Sequence, residues 1–193
     1  EHRRNRHQRS VTGDRQRDLR RLRHPYEDSP VHTGAYAGRA DGEEVKSPEI
    51  IEAGRSDVDS IVPLFLGYLE FYKLRTDAKR ARGFISERLE RGESKILLAR
   101  FDDEPVGFVQ LYPTFASLSM KRSWVLYDLF VKTGARKRGV AKALMEKARQ
   151  LAVETGADGL ILETAVDNLP AQRLYESLGW KRDVEFYRYF LKT

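Results

Sequence analysis

Large apolar residues are sparse and follow no period from Glu1 to about Lys46, whereas from Ser47 onward they recur with a period of two or of three to four. Residues 50–53 read as a short strand. Ile61, Phe65, Tyr68, Leu69 and Tyr72 then form one stripe of a helix. Pro63 must sit in that helix's first turn or kink it, because it supplies no N–H. A second helix is predicted over residues 77–91, with Phe84, Ile85 and Leu89 turned inward and Gly92 as its stop. Residues 96–100 and 106–112 flank the turn Asp102-Asp103-Glu104-Pro105 and read as a β-hairpin.

Residues 124–131 follow as a third strand of the hydrophobic block. The run from Val125 to Val131 is almost unbroken in β-branched and aromatic residues, as in a central strand covered on both faces. Asp128 is its anomaly. The clearest helix lies over residues 138–155, where Val140, Leu144, Met145, Ala148, Leu151 and Ala152 repeat at three and four, and Gly156 ends it. A strand over residues 160–164 is followed by a short helix with Asn168 as cap, Pro170 in its first turn and Gly179 at its close. Residues 184–191 read as a last strand. The alternation argues an α/β domain over residues 47–193. Residues 1–46 are expected to form a basic, disordered tail or appended extension, with residues 14–24 able to become helical on binding.

Composition narrows the chemistry. There is no cysteine among the 193 residues, which removes disulfides, thiolate zinc sites and a cysteine nucleophile. All four histidines, His2, His7, His24 and His32, fall in the first segment, so the domain must work without imidazole. Serine–histidine triads and histidine-held metals are not expected. No apolar run reaches the ~18–20 residues of a membrane span, and a soluble, cytoplasmic protein is expected. The net charge of +6 raises the alternative of a nucleic-acid-binding protein using the basic arm. That arm mixes both signs and carries no base-stacking motif, so nucleic acid is not the expected partner.

The sharpest local signal is a strand, a basic turn and a helix start at Arg136-Lys137-Arg138-Gly139-Val140-Ala141. A helix N-terminus offers unpaired N–H groups and about half a positive charge, which suits a phosphate. Gly134 to Gly139 has the spacing of a nucleoside-triphosphate loop, but Val140-Ala141 stands where that loop needs Lys-Ser/Thr, and no G-x-G-x-x-G is present. The pattern that fits is R/Q-x-x-G-x-G/A. Together with Asn168 to Trp180, which follows N-x-x-A-x-x-x-Y-x-x-x-G-[FYW], and with the strand Tyr127 to Val131, it resembles the GNAT N-acetyltransferase superfamily over roughly residues 47–191. The resemblance implies the GNAT acyl-CoA N-acyltransferase fold, a mixed sheet splayed between its fourth and fifth strands and flanked by about four helices.

It also implies acetyl-CoA as acyl donor, with no metal. Backbone groups of Leu129, Phe130 and Val131 would pair with the pantetheine arm. Arg136, Lys137, Arg138, Gly139, Val140 and Ala141 would cradle the pyrophosphate, with Asn168 nearby. Tyr175 matches the family's general acid, although with Ala171 and Leu178 it also fits an apolar stripe. A lysine-like acceptor ammonium costs roughly 4.6 kcal/mol to deprotonate at pH 7, so a base is needed. Asp128 is the first choice, or else a structural carboxylate satisfied by backbone. Small-amine and polyamine branches often carry Glu-Asp where this chain has Tyr127-Asp128, so Glu163 and Glu70 are alternates as base or as ligands for a cationic substrate. Tyr127 lies beside them as a substrate contact. The acceptor is expected to be a primary amine on a small molecule, polyamine or lysine side chain. A homodimer is a further expectation, and a catalytically silent CoA-binding domain is the other alternative.

Overall fold

The computed structural model describes residues 46–193. The tail expected over residues 1–46, the helix over residues 14–24 and all four histidines lie outside the described residues, Lys46 excepted.

The elements run β1 (Glu49–Glu52), α1 (Val58–Phe71), α2 (Ala78–Glu90), β2 (Lys95–Phe101), β3 (Glu104–Ala116), β4 (Lys121–Val131), α3 (Val140–Glu154), β5 (Leu160–Leu162) and α4 (Leu169–Ser177). Short 3-10 turns at Arg55–Asp57 and Thr133–Ala135 lead into α1 and toward α3. The strands form one sheet in the order β1-β2-β3-β4-β5, antiparallel through β4, with β5 parallel to β4.

Alternation along β2 builds the two cores. Ile96 and Leu98 join α1 and α2 on one face, while Leu97, Ala99 and Phe101 join α3 on the other. The hairpin from β2 to β3 closes on two residues only, Asp102 and Asp103, both at positive φ (48° and 64°), the left-handed pair that a two-residue type I′ turn requires. Asp77 caps α2 by accepting the Arg80 N–H at 2.8 Å. Helix α3 ends as expected at Gly156, where the Ala157 N–H reaches back to the Ala152 carbonyl and Gly156 takes φ +63°.

Pro63 lies inside α1, past its first turn, so the helix forgoes one internal hydrogen bond there. Two expectations need correction. Asn168 stands at the N-cap of α4 but makes no side-chain cap; its Nδ2 donates instead to Thr164 Oγ1 at 3.2 Å, tying the end of the β5 segment to the start of the helix. The strand expected over residues 184–191 does not form. The amides of Glu185 and Phe186 turn onto Asp183 Oδ1, which diverts donors a ladder would use, and Phe186, Tyr187, Tyr189 and Phe190 are exposed.

Candidate active site

Strands β4 and β5 pair only through Trp124, Val125 and Leu126. Beyond Leu126 they part, and residues 127–131 of β4 have a neighbour on the β3 side alone. The Lys132 N–H goes to the Val106 carbonyl on that β3 side. Backbone groups alternate sides along a strand, so Leu129 and Val131 direct theirs into the gap, while Phe130 turns toward β3. The Val131 carbonyl is taken there by Arg136 Nε at 3.1 Å. The Phe130 ring packs beneath α1, where a Cβ on Gly67 would come within 2.8 Å of it.

The gap opens onto the start of α3. Gly139, at φ +80°, is the residue before that helix, and the first bond inside it runs from Ala143 N–H to the Gly139 carbonyl. The amides of Val140, Ala141 and Lys142 therefore have no partner within the helix. A Cβ on Gly139 would meet nothing within 4 Å, so the glycine answers the backbone angle and not a lack of room. Lys137 also takes a positive φ, 62°, which a lysine adopts only under constraint. Arg138 lies over the Phe101 ring at 4.0 Å. The three basic side chains thus have different settings: Arg136 bound back to the strand, Arg138 stacked on an aromatic ring, and Lys137 exposed.

On the opposite face of the sheet, α1, α2, β3 and β4 line an open cavity of about 510 Å³. Helix α1 contributes Phe65, Tyr68 and Leu69, α2 contributes Phe84, β3 contributes Tyr112, and β4 contributes Val125, Tyr127 and Asp128. Two consecutive β4 residues reach the same face because the strand bulges. Gln110 of β3 is opposite Asp128 and Leu111 is opposite Leu126, which leaves Tyr127 without a partner. Had Tyr127 instead taken a regular place in the pleat, strict alternation would send Asp128 to the face of Leu126, in the α3 core.

Asp128 is 6 % exposed. Burial pushes its carboxyl up to about 6, against a smaller opposing effect from the Tyr68 hydroxyl, which donates to it. Tyr68 is itself raised, by burial and by the neighbouring carboxylate, and the same two causes push Tyr112 up to about 12. Gln110, fully buried opposite Asp128, donates its amide to Ser94 Oγ at 2.8 Å, and its Oε1 has no partner among the described residues.

Tyr175 of α4 is half-buried against the α3-side core, its ring 6.2 Å from Trp180. Its hydroxyl is raised by burial and then by Tyr72 at the end of α1, whose ring lies 5.1 Å from Tyr68. Tyr68 and Tyr72 thus pack edge to face on α1, while the ring that Tyr175 meets is Trp180. Glu70 and Glu163 are not brought together with Asp128. Glu70 is exposed on α1 and absent from the cavity wall, and Glu163 is exposed and ion-paired with Arg188.

Residues 60–180 match the model of the acetyltransferase (GNAT) family. The chain belongs to this family. A Bacillus subtilis (strain 168) protein named "Uncharacterized N-acetyltransferase YhfO" is 44 % identical over 144 residues, 75 % of this chain and 97 % of that protein. A probable acetyltransferase of Haemophilus influenzae is 29 % identical over 134 residues, 69 % of this chain and 90 % of its own length. Among solved structures, a probable acetyltransferase at 44 % identity superposes with a TM-score of 0.72 over 75 % of this chain and 97 % of its own. The GNAT domain is accordingly an N-acetyltransferase, and membership implies acetyl-CoA as its donor. The described residues fit that group: the gap-facing backbone of Leu129 and the N–H of Val131, the amides at the start of α3 and an exposed basic turn meet at one gap.

Sequence reasoning missed the walls at Phe84 and Tyr112 and the bond from Tyr68 to Asp128. Tyr112 was traceable, since it follows Phe108 and Gln110 at period two along β3. The bulge leaves no trace in a run that is apolar at nearly every position.

Proposed function

We propose that this GNAT enzyme moves an acetyl group directly from acetyl-CoA to a primary amine, with Asp128 as the base and Tyr175 as the acid. The observation that carries the reading is the carboxylate of Asp128, buried at the wall of an aromatic cavity and raised into the range where it can exchange a proton near neutrality. Bound acetyl-CoA supplies an acyl thioester, an electrophile whose departing sulfur needs a proton.

Within this reading, Leu129 and Val131 hold the pantetheine arm through their gap-facing backbone groups, with the Phe130 ring anchoring the strand from beneath. The amides of Val140 and Ala141, with Gly139, Arg136, Lys137 and Arg138, hold the pyrophosphate. Asn168 braces the far wall of the gap through Thr164. The aromatic faces of Tyr68 and Tyr127 favour an ammonium, and Asp128 removes its proton directly or through one water. Tyr175 has a proton to give, since a phenol of ordinary pKa ~10 is protonated at neutral pH, and burial raises its hydroxyl further. Glu70 and Glu163, both exposed and outside the cavity wall, have no part in the proton transfer of this reading.

Release of CoA from acetyl-CoA, followed across a panel of amines with the purified full chain, tests the function. Tyr175→Phe should lower kcat by about 10²-fold or more and leave KM for the amine nearly unchanged. Undiminished turnover in that variant would remove Tyr175 from the acid role.

A further inference from the structure

The cavity that presents Asp128 also constrains what carries the amine. Among the described residues, Asp128 is the only charged side chain in its wall; the remaining lining is aromatic or aliphatic. Acidic groups on the nearest outer surface do not supplement it. Glu70 lies two residues from Tyr68 on α1, and residues so spaced on a helix face apart. Glu87 near the end of α2 and Glu93 just beyond it are ion-paired with Arg88 and Arg91, two acids with two bases. Arg88 also covers the outer face of Phe84, 5.1 Å from the ring centre. A second or third ammonium entering this space would meet no uncompensated carboxylate, and its desolvation by apolar walls would oppose entry. Ring-sized apolar groups gain instead, from Phe65, Phe84, Tyr68 and Tyr112 on several sides. The volume of about 510 Å³ lies within the range of small-molecule sites and exceeds what one linear lysine stem would fill.

We infer that the acceptor is a monoamine whose amino group sits on a compact apolar body of about ring size, the body held between α1, α2 and β3 and the nitrogen directed at Asp128. This rests on the reading of the cavity as the acceptor site of the acetyltransferase. Polyamines, amino sugars with several ammonium groups, and peptide lysines belong to the excluded set.

The test compares 2-phenylethylamine, cyclohexylmethylamine, spermidine and a blocked lysine amide, using the full chain with acetyl-CoA and measuring CoA release and product mass. Either ring-bearing monoamine should show a kcat/KM at least tenfold above spermidine and the lysine amide. Tyr127→Glu, which adds a second carboxylate beside the first, should narrow or reverse the preference against spermidine by about tenfold. Spermidine or lysine amide used equally well by the unaltered protein overturns the acceptor class while leaving acetyl transfer standing. CoA release with none of the four amines overturns the acceptor class, and calorimetry showing that the unaltered chain also fails to bind CoA would overturn the proposed site with it. A retained preference for ring-bearing amines, together with an unchanged pH profile in Asp128→Asn, removes only the base.

Discussion

Asp128 couples folding to acidity in a way that can be measured apart from catalysis. Its folded-state carboxyl, at about 6, lies above the ~3.9 of an unfolded aspartate, so the native state holds the proton more tightly. Stability therefore falls as pH rises from about 4 to 6, and the full penalty is present above 6. Asp128→Asn cannot ionise; it should be more stable than the parent at pH 7, by up to about 3 kcal/mol, with the difference vanishing near pH 4. Urea titrations at the two pH values check this. The same titration should appear in kcat/KM as an acid limb near pH 6, since only the carboxylate accepts a proton. Tyr68→Phe removes the hydroxyl that holds this carboxyl down and should move the limb to higher pH. A limb that stays in place in Tyr68→Phe would show that the phenol does not control the carboxylate. Asp128 was conspicuous in the sequence as a charge within an apolar run, but its partner was not, because the pairing joins a helix and a strand about sixty positions apart.

Between elements, two glycines separate conformational from steric demand. Gly139 has open space around it and a φ of +80°; Gly139→Ala should cost about 1–2 kcal/mol through backbone strain alone. Gly107 takes an ordinary φ but packs β3 against β4 so closely that a Cβ would lie 2.8 Å from the Phe130 carbonyl oxygen. Gly107→Ala must therefore push the strands apart, at about 1–3 kcal/mol, and should weaken CoA binding as well because it displaces residues 129–131. Unchanged CoA affinity in Gly107→Ala would contradict the steric part of this division. The helix over residues 140–154 and the hairpin turn at Asp102-Asp103 were legible in sequence, since each is set by local periodicity or a local backbone preference. The failure of residues 184–191 to join the sheet was not. Their strand-forming composition is outweighed by a turn onto Asp183, and whether a strand pairs depends on the length of its neighbour, here three residues.

For the molecule as a whole, the gap between β4 and β5 joins two halves of the chemistry built on opposite faces of the sheet. The donor-side groups come from the β4 backbone and α3, the acceptor-side groups from α1, α2 and the other face of β4. A ligand spanning this gap binds the folded form only, so CoA at a hundredfold excess over its Kd should stabilise the protein by about 2.7 kcal/mol, or roughly 5–10 °C in Tm. Differential scanning calorimetry with and without CoA reads this directly, and an unmoved Tm would count against the gap as the coenzyme site. The order of elements and the family motifs made this architecture readable from the chain, but the face on which Asp128 emerges was not readable. An unbroken pleat can offer a given chamber only every second side chain, about 7 Å apart. By slipping one register at Tyr127, β4 furnishes both the threshold and the floor of the same room, so the group that admits a guest and the group that acts on it are neighbours in the chain.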